Sequence, residues 1–243
     1  MSAFGTLYGL GVGPGDPELM TVKAARILQS VPVVAFFAKE GELGHARRVA
    51  GHYLNSEQQE LRFNYPYTVE ISKRSEAYRT AMDSFYDEAS DGIAAVLDDG
   101  HDVALLCEGD PLFYGSFMYP YDRLSGRYPT EVIPGVTAMT ACWNRSGVPM
   151  TRGDDCLTVI PGTLEEGELL RWLQSSDAAV FMKVGRHLPK IRRALEAAGL
   201  LERAIYVERG SMDDETIVRL SEKPDDDAPY FSIVLVPTER STS

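Results

Sequence analysis

Cysteine is scarce in this sequence. The 243 residues hold three, Cys107, Cys142 and Cys156, and no two of them form a CxxC pair. An odd number at such spacing excludes a disulfide framework and a thiolate zinc site, and it fits a reducing cytoplasm. Histidine is nearly as sparse. His45, His52, His101 and His187 show no HExxH or comparable ligand spacing, so no metal is expected. Positive charge is in deficit, with 24 Lys and Arg against 36 Asp and Glu and a net charge of −12. A chain this acidic offers no general basic face to nucleic acid, although a local basic cluster can still hold an anionic ligand. Long apolar runs are missing too. The run Val31–Ala38 falls far below the about 20 residues that a membrane-spanning helix needs. The N-terminal stretch has no basic segment followed by a long apolar one, so neither a signal peptide nor a membrane partner is expected.

What is present is ordinary globular composition, 44% hydrophobic and 25% charged, in a length that suits two small cores better than one. Apolar runs at Thr6–Gly11 and Val31–Ala38 predict strands, with a helix over Val22–Leu28 between them and Thr21 as its N-cap. Leu43, Ala46, Val49, Ala50, Tyr53 and Leu54 recur at helical spacing. A longer helix carries Tyr78, Met82, Phe85, Tyr86, Ala89, Ile93, Val96 and Leu97 on one face and stops at Gly100. Val103–Cys107 and Glu131–Ile133 are further strands, so a mostly parallel sheet is expected. The character changes near Pro149. Strands at Cys156–Ile160, Ala178–Lys183, Ala204–Glu208 and Phe231–Val236, with helices at Glu165–Gln174 and Pro189–Ala198, predict a second domain. The expected class is therefore α/β, with one α/β domain over residues 1–149 and another over 150–243. Glu222–Pro229 is a polar, proline-bracketed loop whose three aspartates suit turn chemistry better than a metal.

Three segments stand out. The first is the run Gly9, Gly11, Gly13, Pro14, Gly15, Asp16, placed after a strand and before a helix. It serves either close approach of a ligand to the backbone or a purely structural strand–helix turn. A dinucleotide fingerprint fails on spacing: counting from Gly9 puts Pro14 at the third glycine position, and counting from Gly11 puts Asp16 there. The second is Glu108-Gly109-Asp110-Pro111 at the carboxyl end of a buried strand, where open α/β sheets place ligands. An acid there can meet ribose hydroxyls, and equally Gly-Asp-Pro is a good turn. The third is Pro134-Gly135-Val136-Thr137-Ala138, where a Pro-Gly turn opens a helix with free N–H groups.

Taken in order, these segments resemble the tetrapyrrole methylases, and the resemblance spans essentially the whole chain. Met182, in the run Ala179 to Lys183, and Gly210, in the run Val207 to Ser211, match the family's later cofactor contacts. Further detail resembles the branch that methylates precorrin-2 at its C20 meso carbon. It includes Phe63 to Thr68, Cys107 to Tyr119, Pro134 to Trp143, Arg152 to Asp155 and Thr158 to Thr163. The chain departs from the uroporphyrinogen methylases after the second strand, where Phe36-Phe37-Ala38-Lys39 stands in place of a segment bearing an Asp.

The resemblance implies two α/β domains with a ligand cleft between them. It implies S-adenosylmethionine as methyl donor and S-adenosylhomocysteine as product, with no metal. Contacts with the donor fall on Pro14, Glu108, Gly109, Asp110, Phe113, Thr137, Ala138, Met182 and Gly210. Gly13, Lys39 and Arg152 are implied for the substrate, a small tetrapyrrole, with Arg47, Arg48, Arg62, Lys73 and Arg74 as further cations for its carboxylate arms. The cobalt-containing analogue is the alternative substrate. The chemistry is an in-line displacement in which the protein supplies alignment and desolvation. Glu108, Tyr114 and His45 are conceivable proton acceptors with none preferred, and a cytoplasmic homodimer is implied.

Overall fold

A computed structural model describes residues 4–67 and 75–239. Thr68, Lys73 and Arg74 lie outside the described residues. The chain divides into two compact units, Met1–Thr137 and Ala138–Ser243. The sequence reading divided it at Pro149; the helix that precedes Pro149 groups with the second unit.

The first unit is a five-stranded parallel sheet. Its strands are β1 (Leu7–Gly11), β2 (Val33–Ala38), β3 (Gln59–Asn64), β4 (Val103–Cys107) and β5 (Thr130–Ile133), in the order β3-β2-β4-β1-β5. Helices α1 (Val22–Ser30) and α2 (His45–Ala50) cover one face, sharing a core with Leu10, Val34, Phe36 and Leu106. Helices α3 (Glu76–Asp98) and α4 (Met118–Leu124) cover the other, packing with Leu7, Val33, Ala35 and Leu105. Neighbouring strand residues thus feed opposite cores, the period of two that a twice-covered sheet imposes. Thr21 caps α1 by accepting the Ala24 N–H at 3.2 Å. Gly100, at φ 79°, ends α3 in the left-handed region. The α2 helix is shorter than the spacing from Leu43 to Leu54 predicts. Gly51 follows its last residue, and Tyr53 and Leu54 pack on the same core from beyond it.

The second unit is a mixed sheet: β6 (Leu157–Pro161), β7 (Ala178–Met182), β8 (Ile205–Glu208), β9 (Thr216–Arg219) and β10 (Ser232–Val236), ordered β6-β7-β10-β8-β9. Only β6 and β7 are parallel; β10 pairs antiparallel with β7 and β8, and β8 with β9. Helices α6 (Glu166–Gln174) and α7 (Leu188–Ala197) bury one face, and α5 (Ala138–Ser146) lies on the other among Val180, Val207 and Leu235. Two strands and one helix escaped the sequence reading. β3 and β9 are both edge strands, where one flank and much of each face meet water, so each carries only two apolar residues, Leu61 and Phe63 or Ile217 and Val218, and its apolar signal is weak. Helix α4 carries Pro120 and three aromatic or apolar neighbours that mask its periodicity.

Candidate functional site

In the first unit the chain leaves β1 toward α1 on one face and leaves β4 toward α4 on the other. β1 and β4 are neighbours, so their carboxyl ends form the switch point at which open parallel sheets bind ligands. The ends are stitched together: Val12 donates to the Cys107 carbonyl at 2.9 Å, and Gly109 donates to the Gly13 carbonyl at 2.8 Å. A Cβ on Gly135 would lie 2.0 Å from the Gly109 carbonyl oxygen, and one on Gly11 would lie 2.6 Å from the Gly135 nitrogen. Three strand ends therefore meet backbone to backbone, which only glycine permits. This refines the reading of the first motif. Gly9 and Gly11 lie within the strand expected over Thr6–Gly11, and Gly9 is bare because the Phe117 ring occupies the place of its Cβ, 2.4 Å away. The turn proper begins at Gly13.

The sequence-flagged residues of this loop gather here. Pro14 and Gly13 are buried. The Asp110 carboxylate accepts from Leu112 N at 3.0 Å and from Gly135 N at 3.2 Å, so it staples the β4 loop to the β5 loop. Each carboxylate oxygen retains lone-pair capacity for a further donor. Glu108 is reachable from solvent, yet desolvation by its surroundings pushes its carboxyl up to about 7, against the pull of Arg48 and of the Ala46 backbone N–H. Desolvation, and then Arg48, also lower the pKa of nearby His45, whose partner is the Pro14 carbonyl. Arg48, at the hub of this group, was singled out only as one of several cations. Phe113 is half-buried, and Tyr114 beside it holds φ 56°.

In the second unit, Ala138 and Met182 belong to one apolar cluster with Cys142 and Val207. Gly210 touches the same Cys142: a Cβ there would lie 2.6 Å from the Cys142 sulfur. Burial pushes that thiol up to about 12, so it stays neutral. Among the described residues the non-glycine residues with positive φ are Tyr114, Lys183, Arg209 and Ser211. Each adjoins a flagged position: Phe113, Met182, or Gly210 from either side. Backbone strain of this kind costs about 1–3 kcal/mol per residue and collects at functional sites. The sequence carries no sign of it, because none of the four is a residue type that announces a left-handed conformation. Thr137 stands at the junction immediately before α5.

The flagged cations are dispersed. Lys39 is exposed at the end of β2, and its carbonyl accepts from Arg62 at 2.8 Å, which commits part of that guanidinium. Arg47 pairs with Glu60. Arg152 is exposed on a turn braced by Asp155, whose carboxylate accepts the Arg152 N–H at 2.7 Å; among the described residues the Arg152 guanidinium forms no ion pair. No three of His, Cys, Asp and Glu gather into a metal-binding group among the described residues, and no described helix is long and apolar enough to cross a membrane.

Comparison with known proteins matches residues 6–223 to the family described as Tetrapyrrole (Corrin/Porphyrin) Methylases. A precorrin-2 C(20)-methyltransferase of a Sinorhizobium species is 54% identical over 233 residues, 96% of this chain and 95% of that protein. A cobalamin biosynthesis protein of Mycobacterium bovis is 44% identical over 99% of this chain, which spans 47% of its length. The crystal structure of a uroporphyrin-III C-methyltransferase from Thermus thermophilus, complexed with S-adenyl homocysteine, is 25% identical. It superposes with a TM-score of 0.67 over 96% of this chain and 92% of that one.

Proposed function

We propose that this chain, which belongs to the tetrapyrrole methylase family, transfers a methyl group from S-adenosylmethionine to the C20 meso carbon of precorrin-2, giving precorrin-3A in cobalamin biosynthesis. The observation that carries the substrate is the likeness to the Sinorhizobium enzyme along nearly the full length of both chains. When bound, S-adenosylmethionine supplies the methyl as an already activated sulfonium.

The residues present suit that donor. Asp110 keeps acceptor capacity for a ribose hydroxyl while it fixes the loop, and Gly109 and Glu108 present backbone and carboxyl beside it. Phe113 and Met182 offer apolar walls, and both are half-buried. Pro14, Thr137, Ala138 and Gly210 complete the proposed contacts, several through backbone atoms. Alignment of donor and acceptor is the main service such a protein renders, because holding two reactants in line replaces a costly encounter. Lys39 and Arg152 are the proposed partners of the substrate's carboxylate arms, both exposed and with side-chain cations available. Gly13 contributes backbone only. The reading includes a metal-independent reaction and a cytoplasmic homodimer that engages neither nucleic acid nor membrane.

The test is incubation with carbon-13-labelled S-adenosylmethionine and either metal-free precorrin-2 or its cobalt analogue, followed by NMR location of the label. Label at C20 of the metal-free substrate is expected. Preference for the cobalt form would move the enzyme to the other branch, and label on another carbon would overturn the assignment.

A further inference from the structure

The turn between β8 and β9 contains the sequence Arg209-Gly210-Ser211, with Arg209 at φ 50° and Ser211 at φ 68°. Neither residue type favours that conformation, so contacts beyond these two residues must hold it. The Arg209 N–H donates to the Phe231 carbonyl at 2.8 Å on one side, and on the other the holding group is Glu215, at the far end of the same turn. Its carboxylate accepts the Ser211 N–H at 2.7 Å and is gripped by the Arg145 guanidinium, with Nε at 2.9 and 3.0 Å and an Nη at 2.8 Å. The Glu215 side chain is only 12% exposed, and Arg145 holds its carboxyl below the ordinary range. Arg145 lies three residues along α5 from Cys142, on the same helical face, and Cys142 is the atom group against which bare Gly210 rests. Helix α5 therefore grips the turn twice, by contact at Cys142 and by charge at Arg145. The same helix begins at Ala138.

We infer that Glu215, anchored by Arg145, is a positioning residue that presets the strained Arg209–Ser211 turn for the adenosyl ligand. This rests on the methyltransferase reading above. Glu215 and Arg145 are 70 positions apart and neither belongs to a segment that carries the family resemblance, although Glu215 bonds Ser211 at the end of one. On this inference their role is to hold the Gly210 backbone at one height over α5, so that little ordering is left for the ligand to impose.

The experiment measures S-adenosylhomocysteine affinity by calorimetry, melting temperature, and separate Michaelis constants for methyl donor and tetrapyrrole. It uses the full chain and its Glu215→Ala, Glu215→Gln and Arg145→Gln variants. Glu215→Ala should weaken S-adenosylhomocysteine by on the order of tenfold and raise the donor's Michaelis constant alike, leaving that of the tetrapyrrole in place. Glu215→Gln, which keeps an acceptor for Ser211 N–H, should recover much of the loss. Should Glu215→Ala unfold, Arg145→Gln carries the test, because its guanidinium is 59% exposed and its removal leaves no core cavity. Variants that melt lower but bind the ligand like the parent would overturn the inference and leave Glu215 a brace. A parent chain that binds no S-adenosylhomocysteine would instead sink the methyltransferase reading, and this inference with it.

Discussion

In the first unit Gly11, Gly109 and Gly135 bring three strand ends into backbone contact, with nothing between them but the missing side chains. In the second unit the turn around Gly210 is made largely of residues that resist its conformation, and it keeps its shape through Glu215, Arg145 and contact with Cys142. One element is set by absence of atoms and the other by their presence. A backbone-to-backbone contact has no soft partner and cannot yield, whereas a turn held by side chains can relax by rotamer or by titration. The two elements should therefore fail differently.

The largest effect is expected at the first element. In Gly135→Ala the new Cβ would need to sit 2.0 Å from the Gly109 carbonyl oxygen, so the loops that follow β4 and β5 must part. Overpacking costs typically 1–3 kcal/mol, and an immovable backbone neighbour puts this case at about 3 or above. A melting temperature lower by roughly 6–12 °C, with S-adenosylhomocysteine binding lost, is the expected result. A variant that melts with the parent would break the comparison at its stronger side.

Gly210→Ala should cost less, although its Cβ also meets a sub-contact neighbour, at 2.6 Å. That neighbour is the Cys142 sulfur, at the end of a side chain that can turn away. A loss of about 1–2 kcal/mol is expected, and Cys142→Ala in the same chain should restore part of it. Thermal melts of the two single variants and the double variant measure the recovery. No recovery would mean that the turn, like the cradle, is fixed by backbone.

The smallest effect concerns pH. Glu108 titrates near 7 in the folded chain, above its ordinary value of 4.5, because desolvation disfavours the charge. Its contribution to stability is thus fully present below about 4.5 and is lost as pH rises through about 7. Glu108→Gln has no such loss. Its stability relative to the parent, followed by thermal melts, should climb between pH 5 and pH 8 by an amount on the order of 1 kcal/mol once solvent screening is allowed for. A constant difference across that range would show that Glu108 ionises normally in the fold.

Much of this molecule was legible in its residues. Buried strands such as Val103–Cys107 and Ala178–Met182 are continuous apolar runs, and Thr21 and Gly100 mark helix ends with chemistry that acts within one turn of chain. The glycine run, Gly109-Asp110 and Pro134-Gly135 were visible for a similar reason: each residue type is demanded by its own backbone. The edge strands β3 and β9 were not, since half-exposed strands carry no strong apolar signal.

Sequence alone determined the α/β class, the parallel first sheet, the family resemblance and the loops that bear the flagged residues, because those follow from local periodicity and from glycine's freedom. Tertiary structure decided the rest. It placed Gly135 against Gly109, made Asp110 a staple between two loops, and set Arg145 on Glu215 across 70 residues. Packing and charge act through space at a few ångströms, while sequence separation carries no distance of its own, so such pairings exist only once the sheets have formed.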